Sequence, residues 1–122
     1  MKRPILLVED DDSVRAFIVL ALQSGGREVL TTSSATEARK IILAQPETQP
    51  LCLVVDVVLN HESGIVFARE VFKRRPDSRI LLISGFTDDV VLNEPDDAAR
   101  MGFLPKPFTR ETLLAAIDKL CA

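Results

Sequence analysis

Five short runs dominated by apolar, often β-branched residues recur along the chain, at 5–8, 28–32, 51–55, 79–83 and 102–104. Their length favours strands. The runs Ile-Leu-Leu-Val, Leu-Cys-Leu-Val-Val and Ile-Leu-Leu-Ile lack polar alternation, the pattern of strands covered on both faces, as in a parallel sheet. Segments of helical period lie between them. Val14, Phe17, Ile18, Ala21 and Leu22 form one apolar stripe closed by Gly25-Gly26, a glycine stop. Ser34 and Glu37 have capping-box spacing, and Ala35, Ala38, Ile41 and Ile42 follow until Pro46. Ile65, Ala68, Val71 and Phe72 mark a third helix ended by Pro76. Thr109 is placed to cap a last one that buries Leu113, Leu114, Ile117 and Leu120. Between them, 88–101 contains Pro95, which removes a helical hydrogen bond and clashes with the preceding turn, so a short or split fourth helix is expected there.

Strand and helix therefore alternate as (βα)5, and right-handed crossovers put helices on both faces of a doubly wound parallel sheet. The flavodoxin-like strand order 2-1-3-4-5 is the common solution, with a ligand crevice at the carboxyl ends of the first and third strands. At 122 residues one domain spanning 1–122 is expected. Apolar residues at 47% with 27% charged suit a folded chain. A net charge of −3 without a basic stripe gives no footprint for direct nucleic-acid binding. The basic run Lys73-Arg74-Arg75 reads as the solvated end of a helix. Cys52 and Cys121 have neither metal nor redox spacing and read as small core or surface residues rather than a disulfide framework. The apolar run after Met1-Lys2-Arg3-Pro4 is too short for a signal peptide or membrane span, so the cytoplasm is the expected compartment.

The polar residues after each strand carry the chemistry. The first strand ends in Glu9-Asp10-Asp11-Asp12, the third in Asp56, the fourth in Ser84-Gly85, and the fifth runs into Lys106-Pro107. Asp11 or Asp12 suits a helix N-cap. Asp10 and Asp56 at adjacent strand ends suit a hard divalent cation, Mg2+ or Mn2+, with Glu9 reaching it through a water. A carboxylate can attack phosphorus, and phosphoryl transfer needs alignment and charge neutralisation above all. Lys106 supplies a positive charge and Ser84 a hydroxyl.

Together these motifs resemble the receiver domain of two-component response regulators: Ile5-Leu-Leu-Val-Glu-Asp-Asp, Val55-Asp56 with Gly64 further on, Leu82-Ile-Ser-Gly, and Gly102-Phe-Leu-Pro-Lys-Pro-Phe108. The resemblance implies that Asp56 accepts a phosphoryl group from a histidine kinase or phosphotransfer protein. It further implies that the Val58 carbonyl joins the metal ligands, that Ser84 and Phe103 are the switch hydroxyl and aromatic, and that Lys106 senses phosphate beside a cis Lys106-Pro107 bond. The output implied is a change in the face made by the fourth helix, the fifth strand and the last helix, read by a downstream protein. Such a domain is a switch that promotes its own phosphorylation and slow dephosphorylation, not an enzyme with a separate substrate. The Ser-Gly-Phe and Phe-Leu-Pro-Lys-Pro-Phe wording is similar to receivers attached to hybrid histidine kinases. The loop after Asp56 departs from the family pattern at Asn60 and is expected to be more mobile, with His61 a solvent-facing loop residue. Val58 and Phe86 are apolar where a water-orienting group could sit, so slow self-dephosphorylation is expected. Rival readings are a phosphatase of the haloacid-dehalogenase type, from Asp10-x-Asp12-x-Val14, a flavin binder, and a pseudo-receiver that only scaffolds.

Overall fold

The computed structural model describes residues 3–46, 49–60, 62–85 and 100–121. The expected fourth helix with Pro95, together with His61 and Phe86, lies outside them. In chain order the strands are β1 (Ile5–Val8), β2 (Val29–Thr32), β3 (Cys52–Asp56), β4 (Val58–Leu59), β5 (Glu62–Ser63), β6 (Arg79–Ser84) and β7 (Met101–Pro105). The described helices are α1 (Asp12–Ser24), α2 (Ala35–Ala44), α3 (Gly64–Arg74) and α4 (Arg110–Leu120), the last being the C-terminal helix of the sequence pattern.

Five strands form one parallel sheet in the order β2-β1-β3-β6-β7, the flavodoxin-like arrangement expected. Successive side chains on a strand point to opposite faces, and here both faces are covered. Leu6, Val8, Leu53, Val55, Ile80 and Leu82 meet α2 and α3, whereas Ile5, Leu7, Val54, Leu81 and Ile83 meet α1 and α4. That double coverage is why the strand runs read as unbroken apolar stretches, each fully buried Leu or Ile contributing roughly 2 kcal/mol.

The helix starts follow local hydrogen-bond chemistry. Asp11 caps α1, its Oδ1 accepting from the Val14 amide at 3.0 Å. Ser34 caps α2 by accepting from the Glu37 amide, and Thr109 caps α4 in a reciprocal box with Thr112. The cap of α3 is Ser63, which the sequence pattern did not single out. One expected core residue turns outward: Phe17 is 44% exposed and its ring lies 5.8 Å from that of Phe108, because the apolar stripe of α1 is wider than the face the sheet can cover.

The segment after Asp56 carries a short antiparallel ladder, β4 on β5, with Val58 opposite Ser63 and Leu59 opposite Glu62. Two expectations are corrected. Arg75 is not solvated. It is buried, and its guanidinium donates to the backbone carbonyls of Pro46 (2.7 Å), Ile42 (2.8 Å), Gln45 (2.9 Å) and Gln49 (3.4 Å). It thereby adds a charged donor to carbonyls at and just beyond the end of α2, two of which, Ile42 and Pro46, also accept from the Gln45 and Gln49 amides. Cys52 and Cys121, 69 positions apart, are joined in a disulfide with a Cα–Cα separation of 6.2 Å. The doubly wound path brings the start of β3 and the end of α4 to the same edge of the sheet, a proximity that spacing along the chain does not reveal.

Candidate functional site

The carboxyl ends of β1, β3, β6 and β7 gather the polar residues. Pairing of Val8 with Val55 sets Glu9 beside Asp56, and pairing of Ser84 with Pro105 sets Lys106 just beyond. Thr32 and Arg15 fix the first of these ends: the Glu9 amide donates to the Thr32 carbonyl at 3.2 Å, and Arg15 Nη1 donates to the Glu9 carbonyl at 2.9 Å. The role of Arg15 was not read from the sequence; its only signal was its place one turn into α1. Gly64 holds the third end close. A Cβ there would lie 2.0 Å from the Asp56 carbonyl oxygen, a contact no side chain tolerates, while the Gly64 amide donates to the Val57 carbonyl at 2.7 Å.

Asp56 is buried, yet both of its carboxylate oxygens are engaged. Oδ1 accepts from the Val58 amide at 2.9 Å and Oδ2 from Lys106 Nζ at 2.8 Å. The ammonium is aimed by a backbone that is cis at Lys106-Pro107 and whose Lys106 amide donates to the Ser84 carbonyl at 2.8 Å. Burial pulls the Lys106 pKa down, but the hydrogen bond and charge of Asp56, joined by Glu9 and Asp11, outweigh it and the net shift is upward.

Glu9 is 1% exposed. Burial first, and then the facing Asp56 carboxylate, push its pKa up to about 8, against opposing pulls from Lys106 and the Asp11 amide. The Asp11 amide donates to Glu9 Oε1 at 3.3 Å, while Glu9 Oε2 is buried with no hydrogen-bond partner among the described residues. Asp10 is half-buried, and its Oδ2 accepts from the Asn60 amide at 3.1 Å, tying β1 to the β4–β5 turn.

One oxygen from each of Glu9, Asp10 and Asp56 lies within 4.8 Å of the other two. Carboxylates this close repel unless a proton or a cation stands among them. An all-oxygen donor set with a buried, unpartnered oxygen fits a hard divalent ion. These three residues are positioned to hold one.

The remaining expected positions fall around this centre. Val58 lies in β4, its amide on Asp56 and its side chain 59% exposed. Ser84 ends β6 and is buried. Phe103 pairs with Leu82 in the sheet and packs half-buried against the α2 and α3 side of the core, and strand alternation puts it on the same face as Ser84. Asp12 is elsewhere: it is largely exposed and ion-paired with Arg15. Beside Lys106 a cleft of about 380 Å³ is lined by Ser13, Val14, Phe17, Pro107 and Phe108.

The family model of the response regulator receiver domain matches residues 5–118. The chain belongs to that family. Receiver domains of this family are signalling switches in two-component systems, and phosphoacceptance is their general role. This one is 36% identical over 121 residues to the response regulator receiver protein CpdR of Brucella abortus, covering 98% of this chain and 97% of CpdR. It is 35% identical over 116 residues to the sensor kinase CckA of the same organism, covering 95% of this chain but only 12% of CckA. Among solved structures, the response regulator protein TrrA of Thermotoga maritima, in complex with Mg2+ and BeF, superposes with a TM-score of 0.79 at 25% identity, over 98% of this chain and 99% of that one.

Proposed function

We propose that residues 1–122 form one receiver domain in which Asp56 accepts a phosphoryl group from a phosphohistidine on a histidine kinase or phosphotransfer protein. The observation that carries this reading is the Asp56 carboxylate, buried, held by Lys106 on one side and faced by Glu9 and Asp10 on the other. Asp56 attacks phosphorus, the phosphorus–nitrogen bond breaks, and the histidine leaves with its electron pair, so an acyl phosphate forms on the aspartate. Lys106 Nζ moves its hydrogen bond from the carboxylate to a phosphoryl oxygen. Ser84 donates to the same group, and Phe103, on the same face, turns toward the space that Ser84 vacates. The face made by β7 and α4 changes accordingly, for a downstream protein to read.

Asp10 and Asp56 would hold Mg2+, or Mn2+, directly, with the Val58 carbonyl as a further ligand and Glu9 acting through water. When bound, the ion offsets negative charge on the transferring phosphoryl oxygens. That TrrA was solved with Mg2+ and BeF supports the assignment. The apolar cleft of Val14, Phe17, Pro107 and Phe108 beside Lys106 suits docking of the donor protein on α1 and the loop before α4. The domain acts as a switch and not as an enzyme on a separate substrate. Asp12, exposed and outside the carboxylate cluster, weighs against a phosphatase that needs both Asp10 and Asp12. The acidic run after β1 lacks the backbone-donor loop that a flavin phosphate requires.

CckA is by name a sensor kinase, and this likeness supports a histidine kinase as the donor. Near-equal identity to part of CckA and to nearly all of CpdR gives equal support to a receiver within a hybrid kinase and to a separate one. Among the described residues no helix is long and apolar enough to cross a membrane, and we place the domain in the cytoplasm with its donor. The test is incubation with acetyl phosphate and Mg2+, read by intact mass. Wild type gains one phosphoryl group and Asp56→Asn gains none; equal gain by both proteins overturns the assignment.

A further inference from the structure

The Cys52–Cys121 pair lies at the amino edge of the sheet, opposite Asp56. Cys52 opens β3 and Asp56 closes it, which sets the two chemistries roughly 13 Å apart along one strand. Both cysteines are buried, at 1% and 4% exposed. The two elements they join are anchored by other contacts as well. Cys52 pairs in register with Ile5 on one side and Arg79 on the other, and α4 is seated by fully buried Leu113 and Ile117 and by its Thr109 cap. Both segments thus have anchors of their own besides the bond.

A route to them exists as well. Cys121 is the C-cap of α4, and helix ends open more readily than helix middles. It lines a cleft of about 680 Å³ together with Arg3, Arg79 and Lys119. Arg3, Arg79 and Lys119 make that cleft electropositive, which favours a thiolate and suits an anionic low-molecular-weight disulfide such as glutathione disulfide; Cys121 itself is buried, so exchange proceeds when the end of α4 opens.

We propose that Cys52 and Cys121 are a reversible thiol–disulfide couple that ties the end of α4 to β3 and sets the stability of the domain without altering phosphoryl uptake at Asp56. Oxidation runs by exchange. The Cys121 thiolate attacks one sulfur of glutathione disulfide, forming a mixed disulfide and releasing one glutathione thiolate. The Cys52 thiolate then attacks the Cys121 sulfur and releases the second. Two electrons pass from the protein to glutathione disulfide, and the two protons lost by the cysteines appear on the two glutathione molecules. Because the closed loop spans most of the chain, the bond removes much of the unfolded state's freedom, so a large stability difference is expected.

The test equilibrates the native chain in glutathione buffers of stepped ratio, quenches in acid, alkylates in denaturant and counts labels by mass. The expected result is one transition from two labels to none. The melting temperature should be about 10 °C higher on the oxidised side, and acetyl phosphate uptake should be within twofold on both. Cys121→Ser should keep the reduced melting temperature at every ratio, while the labelling of wild type needs no variant. Two labels at all ratios, a bond that excess dithiothreitol leaves intact in the native protein, an unchanged melting temperature, or uptake that follows the redox ratio would each overturn the proposal. If neither redox form takes up phosphoryl groups, the phosphoacceptor reading fails while the labelling and melting results still decide the couple.

Discussion

The two edges of the sheet treat charge in opposite ways. At the amino edge the buried guanidinium of Arg75 meets four carbonyl dipoles at the end of α2, and Arg27 reaches Asp118 at 3.0 Å. At the carboxyl edge, among the described residues, three carboxylates face one another, one oxygen of Glu9 has no partner, and the Lys106 ammonium is set against them. Opposite or dipolar partners stabilise a fold; like charges destabilise it unless something further is bound. The contrast teaches that the amino edge sets cations against carbonyl dipoles and an opposite charge, whereas the carboxyl edge gathers like charges and is left in need of a ligand, the condition under which local charge can move a two-state element.

The largest expected effect is at the amino edge. Arg75→Ala removes a buried charged donor from the carbonyls of Ile42, Gln45 and Pro46 and should cost about 3 kcal/mol in urea unfolding, with phosphoryl uptake unchanged below the midpoint. A loss under about 1 kcal/mol would mean that water replaces the guanidinium and that the edges differ less than described.

Next comes the acid edge. The Glu9 carboxyl titrates near its ordinary 4.5 when unfolded and near 8 when folded. Between those values the folded chain keeps a proton that the unfolded chain has released, so the stability linked to Glu9 is full below pH 4.5 and falls as pH rises to 8. Glu9→Gln removes that slope and, in chelator, should exceed wild type by at least about 1 kcal/mol at pH 8. Parallel pH curves for the two proteins would show that Glu9 is not strained by Asp56.

A smaller effect concerns lifetime. The exposed apolar side chain of Val58 offers an attacking water no hydrogen bond, so dephosphorylation should be slow, and Val58→Asn should speed it about tenfold. Fast loss in wild type, unchanged by the substitution, would remove Val58 from the account.

Much of this arrangement was legible in the chain because it rests on local patterns. Unbroken apolar runs follow from strands buried on both faces, and the caps at Asp11, Ser34 and Thr109 are short-range chemistry. The gathering of Glu9, Asp10, Asp56 and Lys106 follows from strand order alone, since each ends or follows a strand. What escaped depends on distant partners. Arg75 finds carbonyls 26 to 33 positions away, so a basic run that reads as solvated hides one buried member. Cys52 and Cys121 meet because a parallel sheet returns strand starts and helix ends to one edge; charting those positions on the expected topology would have paired them. The β4–β5 ladder has too few residues for any period to show.

A shared cation at the acid edge is the central requirement of the switch, and a Mg2+ titration followed by thermal unfolding at pH 7 tests it. An ion that binds only the folded chain stabilises it by about 2.7 kcal/mol at a hundredfold excess over its Kd. The melting temperature of wild type should therefore climb by several degrees and level off, while that of Asp10→Asn should not move. An equal climb in both proteins, or none in either, would contradict the claim that Asp10 and Asp56 hold a metal between them.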